Sequence, residues 1–337
     1  MSTADLVAGV LWFGVTLYVV FGGADFGAGF WALVAGQSDR GRRARGLIDS
    51  SLEPVWEANH VWLIFCLVVL WTAFSVAFGS IMSTLFVPLC LAAIGIVFRG
   101  AGFAFHHIAS KQRGRQWAEW LFGLSSLLTP FFMGTVVGAI AGGRVPIGNA
   151  EGDPLTSWLN PLSIVIGLLF VATNAYLSAA FLITDAQHQN DDQLEKYFAL
   201  RAIAAGGVAG VLAIVSLVVL HNEAHYIYDR LTHEGLPLVL VSIACGSAFL
   251  VLLLRGARKW LRPLAIAAVV AVIWGWGVGQ YPYLLPEKLS IADAAGPNGT
   301  LYSVLVVFVI AGVTVIPSLG LLFWLSQKSL LKGEDEG

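Results

Sequence analysis

Three ionisable side chains lie where such side chains are rare. Asp25, Glu57 and Arg99 fall inside long apolar stretches of the sequence. An arginine held in hydrocarbon costs at least about 2.5–3.5 kcal/mol, so it needs a partner and is functional by default. Arg99 stands about nine residues before the basic end of its stretch, and Asp25 about nine before the end of its own. At 1.5 Å per residue this puts Arg99 roughly 13 Å deep. Glu57 lies a turn or two inside the start of the next stretch. Successive helices alternate in direction, so all three groups fall in the same half of a bilayer. Two acids and one base leave an excess negative charge, most simply relieved when one carboxyl holds a proton. A carboxyl poised in this way is what a proton relay requires. A structural ion pair stitching three helices together is the alternative.

Glu57 sits in a crowded segment with Trp56, Asn59, His60 and Trp62. Glu57 and His60 are three apart and share a helical face. Pro54 suits a first helical turn and Glu53 its positive dipole end. Gly22, Gly23, Gly27 and Gly29 surround Asp25, and small residues let membrane helices approach closely. His60, His106 and His107 are the histidines in or near the membrane, but their depths differ by roughly 9 Å. A haem held by two histidines of this chain is therefore not expected. His221, His225 and His233 share an outer loop with Glu223 and Asp229, read as a solvated loop rather than a metal site. Cys66, Cys90 and Cys245 lie in apolar stretches without metal-ligand spacing and read as small buried residues.

The elements that position these groups follow from composition. Of 337 residues, 57% are hydrophobic and only 12% charged, and the mean hydropathy is +0.78. A soluble domain carries roughly a quarter charged residues. Most of this surface must face lipid. Apolar stretches long enough to span roughly 30 Å recur nine times, near 6–35, 55–77, 82–108, 117–142, 158–184, 197–220, 236–254, 262–280 and 301–325. The whole chain, 1–337, reads as a single polytopic membrane domain, all-α, whose connections are too short for a further folded domain. The first stretch lacks a basic leading region and is too long for a cleavable signal peptide.

Lysine and arginine set the orientation. With nine alternating helices, 15 of the 19 fall on one side, from Arg40, Arg42, Arg43 and Arg45 through to Lys328 and Lys332, and Arg144, Arg230 and Lys288 on the other. The N-terminus is expected outside and the C-terminus inside. Trp12, Trp117, Trp120, Trp158, Trp260 and Trp324 lie near helix ends, where indoles anchor at the headgroups. A net charge of −2 offers no basic field for nucleic acid.

Several motifs are similar to those of one family. Gly23-Ala24-Asp25-Phe26-Gly27-Ala28-Gly29 resembles the Gly-Phe-Asp-x-Gly-x-Gly motif in the first helix of cytochrome bd subunit II. Pro54-Val55-Trp56-Glu57-Ala58-Asn59-His60-Val61-Trp62 resembles its Pro-x-Trp-Asp-Gly-Asn-Glu/Gln-Val-Trp signature. Phe98-Arg99 with Gly102-Phe103 is similar to its Phe-Arg-x-x-Gly-Phe element, and Tyr281 to Pro286 to the segment before its last helix. The chain departs from the pattern at Glu57, Ala58, His60, Ala104 and Gly22.

The resemblance implies two four-helix bundles with one peripheral helix, in a heterodimer with a homologous subunit I. It implies that subunit I carries the haems, haem b with haem d as a further candidate, and the quinol site. This chain would then hold no catalytic, cofactor or metal ligands of its own. It would support its partner and contribute Glu57, Asp25 and Arg99 to a proton path from the cytoplasm, with Trp56, Asn59, His60 and Trp62 in support. The complex would oxidise quinol and reduce dioxygen in a bacterial cytoplasmic membrane, among lipid and lipoquinone. A proton-coupled secondary transporter, with Asp25, Glu57 and Arg99 as its site, is the alternative, although paired halves with matched broken helices are not evident.

Overall fold

The computed structural model describes residues 2–36, 38–52, 56–108 and 112–327. It is built almost wholly of helices. In chain order these are α1 (Thr3–Leu17), α2 (Gly23–Val34), α3 (Asp39–Leu52), α4 (Trp56–Ala73), α5 (Ser75–Thr84), α6 (Phe86–Ile108) and α7 (Gln112–Ala141). There follow α8 (Pro161–His188), α9 (Asp192–Glu223), α10 (His225–Thr232), α11 (Leu236–Leu254) and α12 (Leu261–Gln280). A two-stranded hairpin, β1 (Tyr283–Leu285) and β2 (Leu289–Ser290), leads through α13 (Ile291–Ala294) to α14 (Asn298–Gln327). α1 and α2 form one continuous span joined by a π-helical turn, Tyr18–Gly22.

Seven helices among the described residues are long and apolar enough to cross a membrane, or eight if the bent pair α4–α5 counts as one span. The outward faces confirm the solvent for which they are built: Val211, Ile243 and Val313 are 62%, 60% and 71% exposed. Apolar side chains so exposed on α9, α11 and α14 require lipid or a partner rather than water.

Helix ends are set by local chemistry. Ser2 and Asp5 form a reciprocal capping box on α1, with Ser2 N–H donating to Asp5 Oδ2 at 2.8 Å. Asn160 caps α8 by accepting from Ser163 N–H at 3.0 Å, with Pro161 in the first turn. Asp191 caps α9 through Gln193 and Leu194 N–H, both at 3.1 Å.

Two expectations about the elements change. The stretch expected at 55–77 does not run straight: it breaks at Phe74, and α5 turns away by 119°. Phe74 carries φ −135° and ψ 55°, and the Ala73 carbonyl leaves the ladder to accept from Gly296 N–H at 2.8 Å. The next helix consequently starts at Phe86 rather than 82. The connections also hold structure of their own in α3, α10 and the hairpin.

Packing runs in sequence from α6 to α9, each helix on the next, with α2 laid against α7 and α8. One buried cluster joins α2, α3, α8, α9, α11 and α12, and a second joins α1, α4, α5, α7, the hairpin and α14. The α2 span belongs to the first and α1 to the second, so this one continuous span links the two. Its approach to α8 depends on glycine. A Cβ at Gly27 would stand 2.0 Å from the Asn174 carbonyl oxygen, a backbone atom that has no room to yield.

Candidate functional site

Arg99 is delivered by α6 into the wedge between α2 and α7. It is fully buried, 1% exposed, as is Asp25. Nη2 of Arg99 donates to Asp25 Oδ1 at 2.7 Å and to the Asp25 backbone carbonyl at 3.1 Å. Nη1 donates to Ser126 Oγ on α7, and Ser126 in turn donates to the Phe122 carbonyl at 2.6 Å. The guanidinium carbon lies 5.0 Å from the Phe26 ring and 4.4 Å from the Phe122 ring. A planar cation suits this arrangement, because it can bond in its plane while aromatic faces cover it.

The glycine beside the pair makes room for it. A Cβ at Gly29 would come within 2.1 Å of Ser126 Oγ and 3.0 Å of Arg99 Nη1. Close approach around a buried acid was the role read for these glycines in the sequence.

His60 on α4 reaches the same region through an aromatic edge, its ring 5.9 Å from that of Phe26 and nearly perpendicular to it. Trp62 packs edge-on to Phe65 at 6.1 Å. Glu57 falls in the first turn of α4, but its side chain, like those of Trp56 and Asn59, lies outside the described residues. The structure thus brings together Asp25 and Arg99. Ser126, Phe26 and Phe122 complete the site and were not singled out in the sequence. Only Ser126 left a trace there, as a hydroxyl pair with Ser125 within an apolar stretch.

Other ion pairs lie toward helix ends and are partly solvated: Arg258–Glu195 and Arg262–Asp185 at 2.6 Å, Arg144–Glu223 at 3.0 Å, and Arg43–Asp191. Pairs so exposed contribute little to stability. The Asp191 carboxyl is held below its usual range, first by the Leu194 N–H of its helix cap and further by Arg43.

His60 stands in the second turn of α4, with its ring packed against Phe26. His221 and His225 stack at 5.0 Å at the α9–α10 turn with Tyr228 beside them, and no group of three metal-binding side chains occurs among the described residues. The side chains of His106 and His107 lie outside the described residues.

Fold and site together define an all-α, multi-pass membrane protein that locks an arginine onto a carboxylate between packed helices. Within that class its relationships are specific. Residues 3–326 match the model of the cytochrome bd terminal oxidase subunit II family, and the chain belongs to that family. It is 23% identical to cytochrome bd-I ubiquinol oxidase subunit 2 of Escherichia coli K12, over 88% of this chain and 86% of that one. It is 22% identical to cytochrome bd ubiquinol oxidase subunit 2 of Bacillus subtilis 168, over 91% of each. Among solved structures it superposes on the bd oxidase from Geobacillus thermodenitrificans with a TM-score of 0.80 and 28% identity, covering 96% of this chain and 98% of that one. The chain is a subunit of a quinol:oxygen oxidoreductase complex that contains a subunit I, haem and quinol. The transporter alternative finds no support in these relationships.

Proposed function

We propose that this subunit holds the haem-bearing subunit I in a heterodimer and feeds cytoplasmic protons toward oxygen reduction. Haem b, and haem d where present, then belong to subunit I with the quinol site, and lipoquinone and lipid surround the pair. The reading includes nine spans, two four-helix bundles with a peripheral helix, an outer N-terminus and an inner C-terminus in a bacterial cytoplasmic membrane. The lysine and arginine asymmetry supports that orientation.

The observation that carries the proton reading is the Asp25–Arg99 pair, fully buried at 2.7 Å and lying in the half of the continuous α1–α2 span that leads to the arginine-rich connection. Within hydrocarbon such a pair is expensive to maintain, and intramembrane ionisable groups mark proton relays. Glu57, at the start of α4, is the entry group. Asp25 lies deeper, and Arg99 keeps its negative charge tolerable. Trp56, Asn59, His60 and Trp62 shape the approach. When bound in the partner, haem supplies the electron transfer and oxygen chemistry; this chain's own residues move and hold protons.

The test is Glu57→Gln in the assembled complex. The amide keeps shape and hydrogen bonding but carries no proton. Quinol-dependent oxygen consumption per assembled complex should fall by roughly 10²-fold or more, whereas Glu57→Asp should retain substantial turnover. Full activity of Glu57→Gln would leave Glu57 a structural role only.

A further inference from the structure

Tyr18 opens the π-helical turn that separates α1 from α2. A π turn widens the helix by one residue, and such turns recur at functional sites. The phenol ring lies along Gly22: a Cβ there would stand 3.1 Å from Tyr18 Cε2 and 3.6 Å from Cζ. The side chain therefore runs along the helix in the direction of Asp25. Its hydroxyl oxygen is buried and has no hydrogen-bond partner among the described residues. The phenol interacts electrostatically with Asp25, Arg99 and Cys66. The turn packs on α1, α2, α4 and α12, and among the described residues no charged group other than the Asp25–Arg99 pair acts electrostatically on the phenol.

Buried hydroxyls are almost always hydrogen-bonded, to protein or to ordered water. Seven residues separate Tyr18 from Asp25, about 10 Å along the axis, and Tyr18 is on the side away from the arginine-rich connection. It is the next titratable group along this span beyond Asp25.

We propose that Tyr18 holds an ordered water against the Asp25 carboxyl and relays protons onward from it. This inference rests on reading Asp25 as a proton-carrying group. In one hop the Asp25 carboxyl gives its proton to the water, the water gives one of its own to the phenolic oxygen, and the phenol releases its proton outward. Water and phenol end the hop neutral. The proton is finally consumed in the reduction of dioxygen to water, and Asp25 is reloaded from the cytoplasmic side.

The experiment uses the two-subunit complex carrying Tyr18→Phe. Complex yield, oxygen consumption per assembled complex in H₂O and D₂O, and redox-induced infrared difference spectra in the carboxyl region are measured together. The expected result is normal yield, turnover lowered roughly tenfold, a larger solvent isotope effect, and a displaced carboxyl band that Asp25→Asn abolishes. A hydroxyl with a structural role alone predicts unchanged or improved yield with unchanged turnover and an unmoved band; that result overturns the proposal.

If Tyr18→Phe lowers yield, a fluorotyrosine at position 18 keeps the shape and changes only phenol acidity. Unchanged turnover and isotope effect with it overturn the proposal equally. Asp25→Asn separates the two readings. Full turnover in that variant refutes the proton role of Asp25 itself, whereas lost turnover there with normal Tyr18→Phe refutes Tyr18 alone.

Discussion

Replacing Arg99 with alanine removes four kinds of contact at once. The Asp25 carboxylate loses its 2.7 Å partner, the Asp25 carbonyl a donor at 3.1 Å, Ser126 its donor, and the Phe26 and Phe122 rings the cation between them. Breaking a buried ion pair by deleting one member costs about 3–5 kcal/mol, because the other charge is stranded. About 4 kcal/mol is roughly a thousandfold in an equilibrium constant, enough to unbalance a marginally stable helix assembly. Arg99→Ala should therefore lose most of the two-subunit complex before any effect on chemistry is seen. Arg99→Lys keeps the charge but lacks the planar fork that reaches Asp25 and Ser126 together, so its yield should be intermediate. Asp25→Asn added to Arg99→Ala should restore part of the yield by removing the stranded charge. The assay is the yield and thermal stability of purified complex alongside oxygen consumption per assembled haem. Normal assembly of Arg99→Ala, with no change when Asp25→Asn is added, would refute the coupling of the two residues.

Expressed without its partner, the chain should bind little or no haem, measured by reduced-minus-oxidised difference spectra of the purified subunit; stoichiometric haem b would make His60 a ligand candidate. Gly27→Ala should destabilise assembly by more than about 1–3 kcal/mol, because the new Cβ meets the Asn174 carbonyl oxygen at 2.0 Å and only separation of α2 from α8 relieves it. Unaltered thermal stability of that variant would mean that the two helices are not packed as described.

What could be read from the sequence was what hydrocarbon forbids. Asp25 and Arg99 stood out because a charge in an apolar stretch is costly wherever its neighbours are, and matching depth then made them candidates for each other. The cage around them was not legible, since Phe26, Phe122 and Ser126 are ordinary residues for membrane helices and acquire their role only when α2, α6 and α7 converge. The break at Phe74 was hidden for a similar reason: no proline or glycine marks it, and the partner of the freed Ala73 carbonyl, Gly296, is more than two hundred residues away. Tyr18 gave no periodic signal either, because a π turn inserts its extra residue without altering the apolar composition.

The order in which Arg99 meets its partners bears on biogenesis. As the chain leaves the ribosome, α2 is inserted long before α6, and Asp25 enters the bilayer with no cation beside it. When α6 emerges, its arginine makes lateral release from the translocon unfavourable on its own, by about 2.5–3.5 kcal/mol. Docking on Asp25 offsets that cost, so the Arg99–Asp25 contact favours entry of α6 as soon as both helices are present. Only afterwards does α7 arrive to close over the pair with Ser126 and Phe122. The two charges thus tie the placement of α6 to that of α2: a chain in which α2 is misplaced lacks the carboxylate that Arg99 needs, and the arginine then enters hydrocarbon at its full cost.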